Sequence, residues 1–305
     1  MYNEKHRNAP RIEDEHSKAV AAHKPANIYS RRTFLALAAG ATTTAVLAGC
    51  GARSTQGAAA PSSAADTTAD ALAAIRERAT MTFGTEGTWS PWTFHNENDE
   101  LTGYDVEVAR AIAERLGATA QFAEGEWDGL FAGVDAGRYD SVANGVSVTS
   151  ERAEKYDFTT PYAYNRTAII VRADDTSIAS FEDLAGKTTA NTISSAYAEV
   201  AEGYGATVTG VDDLAQTLDL LLDGRIDATL NDEVVFYDYV AEHPEAQVKI
   251  AALSNDAVPV ALPVPKDDAH ASLLATMNEA IGALRADGTL AQLSEQFFGV
   301  DISEA

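Results

Sequence analysis

The residue of this chain best suited to bind an anion is Arg152, which follows Thr149-Ser150 in a short turn beyond a predicted strand. Its planar guanidinium can form two parallel hydrogen bonds to a carboxylate, which a lysine cannot reproduce. From the residues alone, a surface ion pair with Asp157 or Glu151 is the simpler interpretation. Asp232, at another strand-to-helix turn, could serve as a helix N-cap or as the partner of a cation.

The elements that must position these residues are predicted from hydropathy patterns. From about residue 79, short apolar runs alternate with helical periodicity, which is typical of βαβ units and mostly parallel sheets. The predicted strands are 80–85, 118–123, 141–144, 167–172, 187–191, 207–209, 227–230, 247–252 and 257–263. The predicted helices are 104–116, 127–136, 196–203, 213–223, 232–241, 268–286 and 289–297.

An internal repeat indicates two equivalent halves. Residues 137–144 (GRYDSVAN) and 224–231 (GRIDATLN) share the pattern Gly-Arg-x-Asp-x-x-x-Asn, and each copy follows an apolar helix. Ligands of open α/β sheets bind beyond the carboxyl ends of the strands, so Asn144 and Asn231 are predicted to face one cleft. The alternative is that the pattern only ends a helix, with glycine after the last turn and aspartate in the turn.

Composition excludes several classes of function. The 305 residues carry a net charge of −24, which repels polyanions and argues against nucleic-acid binding. Cys50 is the single cysteine, so neither a disulfide within the chain nor a cysteine-based metal site can form. The histidines have no metal-ligand spacing, and we predict no metal and no cofactor.

The N-terminus has the layout of an export signal followed by an anchor. Arg31 and Arg32 precede a short apolar run that ends at Leu47-Ala48-Gly49-Cys50. This run is too short and too polar for a stable membrane span. The paired arginines suggest twin-arginine export, and the ending resembles the bacterial lipoprotein cleavage box, in which the cysteine is acylated. We therefore predict a signal peptide over 1–50, a flexible tether over 51–70, and a protein anchored through Cys50 on the extracytoplasmic side of the cell membrane.

The folded body resembles the periplasmic amino-acid-binding proteins of ABC transporters, the bacterial extracellular solute-binding protein family 3. The resemblance covers residues 79–299. No single string decides it, and its specificity comes from the order and spacing of the matching strings together. The matching strings are FGTE (83–86), PWTF (91–94), LTGYDVE (101–107), VTSER (148–152), YDFTTPY (156–162) and DGTL (287–290). Similarity to the cystine- and cysteine-binding branch is carried by GEWDGL (125–130), Asn144, SSAY (194–197) and DATLND (227–232), whereas Gly145 and Val146 depart from that branch.

The resemblance implies an α/β, two-lobed and hinged periplasmic-binding-protein fold of type II, with a mostly parallel sheet flanked by helices in each lobe. Lobe 1 would combine 71–165 with 260–305, and lobe 2 would span 166–259. The chain would cross between the lobes near 164–167 and 257–263. A permease would be its partner, and the protein would be a monomer.

For a free amino acid, the resemblance gives the candidate residues specific roles. Arg152 would bind the carboxylate, together with the N–H groups of Ser195 and Ala196 at a helix start, and Asp232 would bind the ammonium. Ser195 could instead simply cap its helix. The remaining predicted ligand-binding residues are Ser147 as a hydroxyl donor, Trp89 and Trp127 as aromatic walls, and Glu86, Asn144, Tyr197 and Asn231 at the distal end. Trp89 and Trp127 could equally be core residues, which is the simpler interpretation of Trp92.

Two other functions remain open at this stage. The first is an anchored enzyme resembling a prephenate-type (cyclohexadienyl) dehydratase, for which Glu86 and Glu233 are the only obvious acids or bases. No Ser-His-Asp, GxSxG, HExxH or P-loop pattern is found, and we predict no enzymatic activity. The second is a ligand-sensing module that serves a separate signalling partner.

Overall fold

A computed structural model of the chain describes residues 70–305. The predicted signal peptide, Cys50 and residues 51–69 of the predicted tether lie outside the described residues. Asp70, the last residue of that tether, is the N-cap of the first helix and accepts a hydrogen bond from the Ala73 N–H at 2.7 Å.

Two separate sheets define two lobes, which we call the first and the second lobe. In the first lobe, β1 (Thr80–Thr85) lies between β5 (Thr119–Glu124) and β6 (Ser141–Val142), and all three strands are parallel. The first part of this lobe comprises α1 (Ala71–Arg78), β1 (Thr80–Thr85), β2 (Thr88–Trp89), β3 (Thr93–His95), β4 (Leu101–Thr102), α2 (Tyr104–Arg115), β5 (Thr119–Glu124) and α3 (Trp127–Asp135). It continues with β6 (Ser141–Val142), α4 (Ser150–Lys155) and β7 (Tyr156–Phe158).

The second lobe is built on five strands in the order β11-β10-β12-β9-β13, of which only β9 runs against the others. Its elements are β9 (Thr167–Arg172), β10 (Thr188–Asn191), α5 (Ala196–Gly203), β11 (Thr207–Gly210), α6 (Leu214–Leu222), β12 (Ala228–Asp232), α7 (Glu233–Glu242) and β13 (Val248–Leu253). Alternate residues of β9 enter two different apolar clusters, Ala168 and Ile170 in one and Ile169 and Val171 in the other. Helices therefore cover both faces of this sheet.

Two short strands connect the lobes. β8 (Ala163–Asn165) pairs antiparallel with β14 (Val258–Val260), so the two crossings lie side by side. The chain then returns to the first lobe through β15 (Pro263–Pro265), which pairs with β7, and ends with α8 (Ala271–Ala286) and α9 (Thr289–Phe298). The fold is the two-lobed α/β fold predicted from the sequence, although the predicted residue boundaries of the lobes stay predictions.

Several predicted elements need correction. The strand expected over 257–263 is two strands, because Ala261 and Leu262 turn aside to bond the main chain of Val146 and Thr159. The helix expected from 268 begins at Ala271, after a single 3₁₀ turn. The strand expected over 141–144 ends at Val142. The sequence analysis missed α1, α4, β2, β3, β4, β7 and β8, all of which are short.

Within residues 70–305, no helix is both long and apolar enough to cross a membrane.

Candidate functional site

A cleft of about 590 Å³ lies between the two lobes. Its walls come from the carboxyl ends of strands in both sheets and from the helix starts that follow them, which is where ligands bind in open α/β sheets. The first lobe contributes Glu86, Thr88, Trp89, Trp127, Asn144, Gly145, Ser147 and Arg152. The second lobe contributes Asn191, Thr192, Ser195, Ala196, Tyr197, Asp213, Leu214, Thr217 and Asn231.

Ten of the eleven residues predicted to bind a ligand lie in these walls. Asp232 does not: it lies behind them, 5% exposed, next to Asn231 and near Tyr197. Among the wall residues that the sequence analysis missed, Asn191, Thr192, Asp213 and Leu214 also follow predicted strands at strand-to-helix turns. The rule that identified Asn144 and Asn231 could have found these four as well.

The Arg152 side chain is the central cation of the cleft. It lies on α4 rather than in a turn, and its guanidinium packs over the rings of Trp127 and Phe131 at 5.0 and 5.3 Å. Nη1 donates to the Ser147 carbonyl at 2.9 Å, and Nη2 donates to the Ser194 carbonyl at 3.1 Å. Burial lowers the pKa of the Arg152 guanidinium, because the charged form loses water.

The alternative surface ion pair for Arg152 is wrong. Glu151 pairs with Lys155 at 3.5 Å, and Asp157 faces Lys266 at 4.0 Å. Among the described residues, no carboxylate forms a salt bridge with Arg152. A half-buried cation that has lost part of its water and has no counter-charge is suited to receive an anion from outside the chain.

The start of α5 is only partly available to a ligand. Ser195 is the N-cap, and its hydroxyl accepts a hydrogen bond from the Ala198 N–H at 3.2 Å. The Ser195 N–H donates to the Thr192 carbonyl at 3.0 Å. The prediction that this N–H is free to grip a carboxylate is therefore wrong, because it already has a partner. Ala196 lies at the first helical position, where N–H groups point away from the helix.

Glu86 places a negative charge in the cleft. The Asn144 amide holds it at both ends: the Glu86 N–H donates to Asn144 Oδ1 at 2.7 Å, and Asn144 Nδ2 donates to Glu86 Oε2 at 2.5 Å. Burial raises the pKa of Glu86 to about 7, opposed by the Asn144 hydrogen bond and reinforced by Asp213 and Asp128. No lysine, arginine or histidine among the residues described forms a salt bridge with Glu86.

Asp232 is a second carboxylate without a cation. Asp232 occupies the N-cap position of α7, but its side chain makes no capping hydrogen bond. The N-cap interpretation therefore fits its position but does not explain what the charged carboxylate binds. Burial raises the pKa of Asp232 to about 7. Its Oδ2 is buried without a hydrogen-bond partner among residues 70–305.

Trp89 and Trp127 line the cleft and also belong to apolar clusters, so both interpretations of these residues fit their positions. Trp89 lines the cleft, and its ring stacks on Trp92 with centroids 5.9 Å apart and an angle of 19° between the planes. Trp92 is fully buried, as expected for a core residue. Gly145 lies against both rings with a φ of 56°, and a Cβ atom there would lie 2.6 Å from the Trp89 ring.

No group of three His, Cys, Asp or Glu side chains between residues 70 and 305 could hold a metal ion.

Comparison with known proteins identifies the family. Residues 81–300 match the model of bacterial extracellular solute-binding proteins, family 3. The chain belongs to this family. It is 42% identical to the "Probable amino-acid ABC transporter-binding protein" of Haemophilus influenzae, over 75% of this chain and 89% of the relative. It is 37% identical to the L-cystine-binding protein TcyA of Bacillus subtilis, over 77% of this chain and 87% of the relative.

Two solved structures of family members differ in how well they superpose. An ancestral arginine-binding protein bound to arginine is 34% identical and has a TM-score of 0.68, covering 73% of this chain and 99% of its own. The L-cystine solute receptor of Neisseria gonorrhoeae in the unliganded open conformation is 43% identical but has a TM-score of 0.53, covering 77% and 99%. The present protein therefore superposes more closely on the arginine-bound structure than on the open one.

Proposed function

We propose that this protein is the extracytoplasmic substrate-binding component of an amino-acid ABC importer, and that its ligand is L-cystine, cysteine or another polar amino acid. The observation that carries the proposal is the half-buried Arg152 guanidinium, which forms no salt bridge with a carboxylate in the described part of the chain and lies in a cleft between two lobes. A ligand carboxylate would supply the missing charge. The family membership and the L-cystine-binding relative support the same conclusion.

The ammonium of the ligand has two acidic groups available. Glu86 is half-buried in the wall of the cleft, whereas Asp232 is buried behind the wall, next to the wall residue Asn231. Loss of water raises the pKa of each carboxyl group to about 7. A cation placed beside such a group restores its charged form. When one ammonium binds Asp232, Glu86 still lacks a cation and can bind a second positively charged group.

This surplus of negative charge favours a ligand with two cationic groups. L-Cystine carries two ammonium and two carboxylate groups, so its first end would bind Arg152 and Asp232 and its second ammonium would bind Glu86. The hydroxyl groups of Thr88 and Thr192 are wall donors for the second carboxylate. Arginine also has a second cation but lacks the second carboxylate.

The first experiment is a calorimetric titration of the purified protein with L-cystine, L-arginine, L-serine and L-alanine, with thermal unfolding alongside. We expect one ligand per chain, L-cystine bound most tightly, and about 2.7 kcal/mol of added stability at a hundredfold excess over Kd. Failure of all twenty amino acids and L-cystine to bind would contradict the proposal.

A Glu86→Gln variant tests the distal end. Its affinity for L-cystine and L-arginine should fall about tenfold or more, because the second cation loses its partner, while any affinity for L-serine should change little. Equal losses for all three amino acids would show that Glu86 binds the α-ammonium instead.

We further propose that binding leaves the ligand chemically unchanged. After prolonged incubation with excess L-cystine, the amino acid recovered from the protein should be intact. Turnover of prephenate by the purified protein would instead support the dehydratase-like alternative.

The anchor is a separate proposal. Cys50 would carry the lipid after removal of residues 1–49, so the protein would be held as a monomer on the outer face of the cell membrane, beside its permease, after twin-arginine export. Mass spectrometry of the mature N-terminus should find an acylated cysteine. A Cys50→Ala variant should be released from membranes, and its retention there would contradict lipid anchoring.

A further inference from the structure

The two lobes contact each other at the mouth of the cleft through Asp128 and Ser194. Asp128 lies in the first turn of α3 in the first lobe, and Ser194 lies in the loop between β10 and α5 in the second lobe. The Ser194 hydroxyl donates to Asp128 Oδ1 at 2.5 Å, and the Ser194 N–H points at the same oxygen at 3.3 Å. One carboxylate oxygen of the first lobe thus holds a side chain and a main-chain group of the second.

The main-chain carbonyl of Ser194 accepts a hydrogen bond from Arg152. Arg152 Nη2 donates to the Ser194 carbonyl, while Nη1 donates to the Ser147 carbonyl of its own lobe. The guanidinium is therefore held between one carbonyl from each lobe. Any movement of Ser194 changes the second of these two contacts.

Helix α3 carries both parts of this arrangement. Trp127 and Phe131 on α3 supply the rings under the Arg152 guanidinium, and Asp128 on the same helix holds Ser194 above it. The hydrogen bond between Asp128 and Ser194 therefore helps to fix the carbonyl that accepts from Arg152 Nη2.

A simpler role for Asp128 is favourable interaction with the N-terminus of α3, where acidic residues stabilise helices. That role would not depend on Ser194. No side chain caps α3, and the Asp128 oxygen that makes hydrogen bonds makes them across the cleft. The two roles therefore make different predictions for variants of Ser194.

We propose that Asp128 is a positioning residue that latches the closed cleft: by holding Ser194 it orients the Arg152 guanidinium and slows ligand release. Asp128 itself does not line the cleft. This inference rests on the proposed function, since it needs a ligand carboxylate at Arg152. Because the latch forms only when the lobes meet, it affects release more than capture.

The test is a double-mutant cycle of Asp128→Ala and Ser194→Ala, measured as the rate at which radiolabelled L-cystine is released after dilution into unlabelled L-cystine. Each single variant should release the label about tenfold faster, as expected for loss of one charge-assisted hydrogen bond at a partly exposed site. The double variant should be no faster than Asp128→Ala, because that substitution already removes the hydroxyl bond lost in Ser194→Ala, together with the bond from the Ser194 N–H. Association rates should change less than threefold.

Two further variants separate the latch from a structural effect. Asp128→Asn keeps the acceptor oxygen and should restore slow release to within about threefold of the wild type. Glu126→Ala removes an exposed charge at the N-cap of the same helix, from a side chain without a capping hydrogen bond, and should leave release unchanged.

Multiplicative effects of the two single substitutions, or wild-type release from Asp128→Ala, would overturn the inference while the proposed function stands. If the wild-type protein binds neither L-cystine nor any of the twenty amino acids, the proposed function fails, and the inference fails with it.

Discussion

The two copies of the Gly-Arg-x-Asp-x-x-x-Asn repeat show which parts of the lobes are equivalent and which are not. Asp140 accepts a hydrogen bond from the Thr82 N–H at 2.7 Å, and Asp227 accepts one from the Thr188 N–H at 2.8 Å. Each aspartate also donates its own N–H to the carbonyl of that same threonine. Gly137 and Gly224 both have positive φ angles, 65° and 70°, after the helix that precedes each copy.

The asparagines at the ends of the copies differ. Asn144 lies two residues beyond β6 and holds Glu86 with two hydrogen bonds. Asn231 lies within β12, and its Oδ1 accepts from the N–H of the adjacent Asp232. The repeat thus builds the same helix-to-strand connection twice, whereas the chemistry of the cleft depends on residues that are not repeated.

The largest difference between the lobes is that the first supplies the cation of the cleft. Arg152→Ala should weaken L-cystine binding by 100-fold or more, because the ligand carboxylate would be buried without its counter-charge. Calorimetric titration measures the change. Arg166→Ala is the matched control: its exposed guanidinium pairs with Glu233 at 2.7 Å outside the cleft, and affinity should stay within about twofold. Wild-type affinity in Arg152→Ala would remove the proposed anion site.

Among the described residues, each lobe has a carboxylate that is at most 5% exposed and forms no salt bridge: Asp105 in the first lobe and Asp232 in the second. Asp105 is 1% exposed and accepts hydrogen bonds from the Gly145 N–H and the Tyr162 hydroxyl. Burial raises the pKa of Asp105 to about 7. A group whose pKa is raised on folding stabilises the fold at low pH and loses that contribution as pH rises from about 4 through about 7.

Asp105→Asn should therefore change the pH dependence of stability. The asparagine keeps an acceptor oxygen but cannot ionise, so between pH 5 and pH 8 the variant should gain up to a few kcal/mol in free energy of unfolding relative to the wild type. Thermal or denaturant unfolding across this range measures the difference. Parallel curves for the two proteins would mean that Asp105 stays neutral, or stays charged, throughout.

Substitution of the two asparagines tests the functional part of the comparison directly. Asn144→Ala removes both hydrogen bonds between Asn144 and Glu86. It should weaken L-cystine binding by about tenfold, as expected for loss of such hydrogen bonds. Asn231→Ala removes one bond to the adjacent main chain and should cost about threefold or less. Equal effects would show that the two asparagines are functionally equivalent after all.

The smallest effects should come from the repeated aspartates. Asp140→Ala and Asp227→Ala should each lower the free energy of unfolding by about 1–2 kcal/mol and leave ligand affinity unchanged, because each removes hydrogen bonds within its own lobe. Asp140 accepts from the Thr82 N–H and from Arg78, and Asp227 accepts from the N–H and the hydroxyl of Thr188. The bond from the Thr188 N–H lowers the pKa of Asp227, so the cost of Asp227→Ala should be present at neutral pH and shrink as pH falls below about 4. A selective loss of ligand affinity in either variant would break the comparison.

The sequence predicted the fold well where apolar runs are continuous and their ends are marked. The strand over 167–172 has the predicted bounds, since five of its six residues are fully or almost fully buried between two layers of helices. The short strands β2, β3 and β4 pair only with each other, and their two or three residues are too few to show a period.

The walls of the cleft were predictable because strand ends converge at one edge of each sheet. What the sequence could not show is which polar groups already have partners. The Ser195 N–H is bonded to Thr192, and Asp232 lies behind the wall rather than in it. Asp105 and Asp128 lie in the matching strings LTGYDVE and GEWDGL. Their roles were nevertheless not predicted, because these roles arise where segments distant in sequence meet.

All three tryptophans of the chain, Trp89, Trp92 and Trp127, lie in the first lobe, and two of them line the cleft. The indole of Trp127 lies beneath the Arg152 guanidinium, and the stacked pair of Trp89 and Trp92 borders the Gly145 turn. A ligand that enters the cleft would displace water from the surfaces of these rings. The tryptophan fluorescence of the unlabelled protein should therefore change when a ligand occupies the cleft, and all of that fluorescence comes from the first lobe.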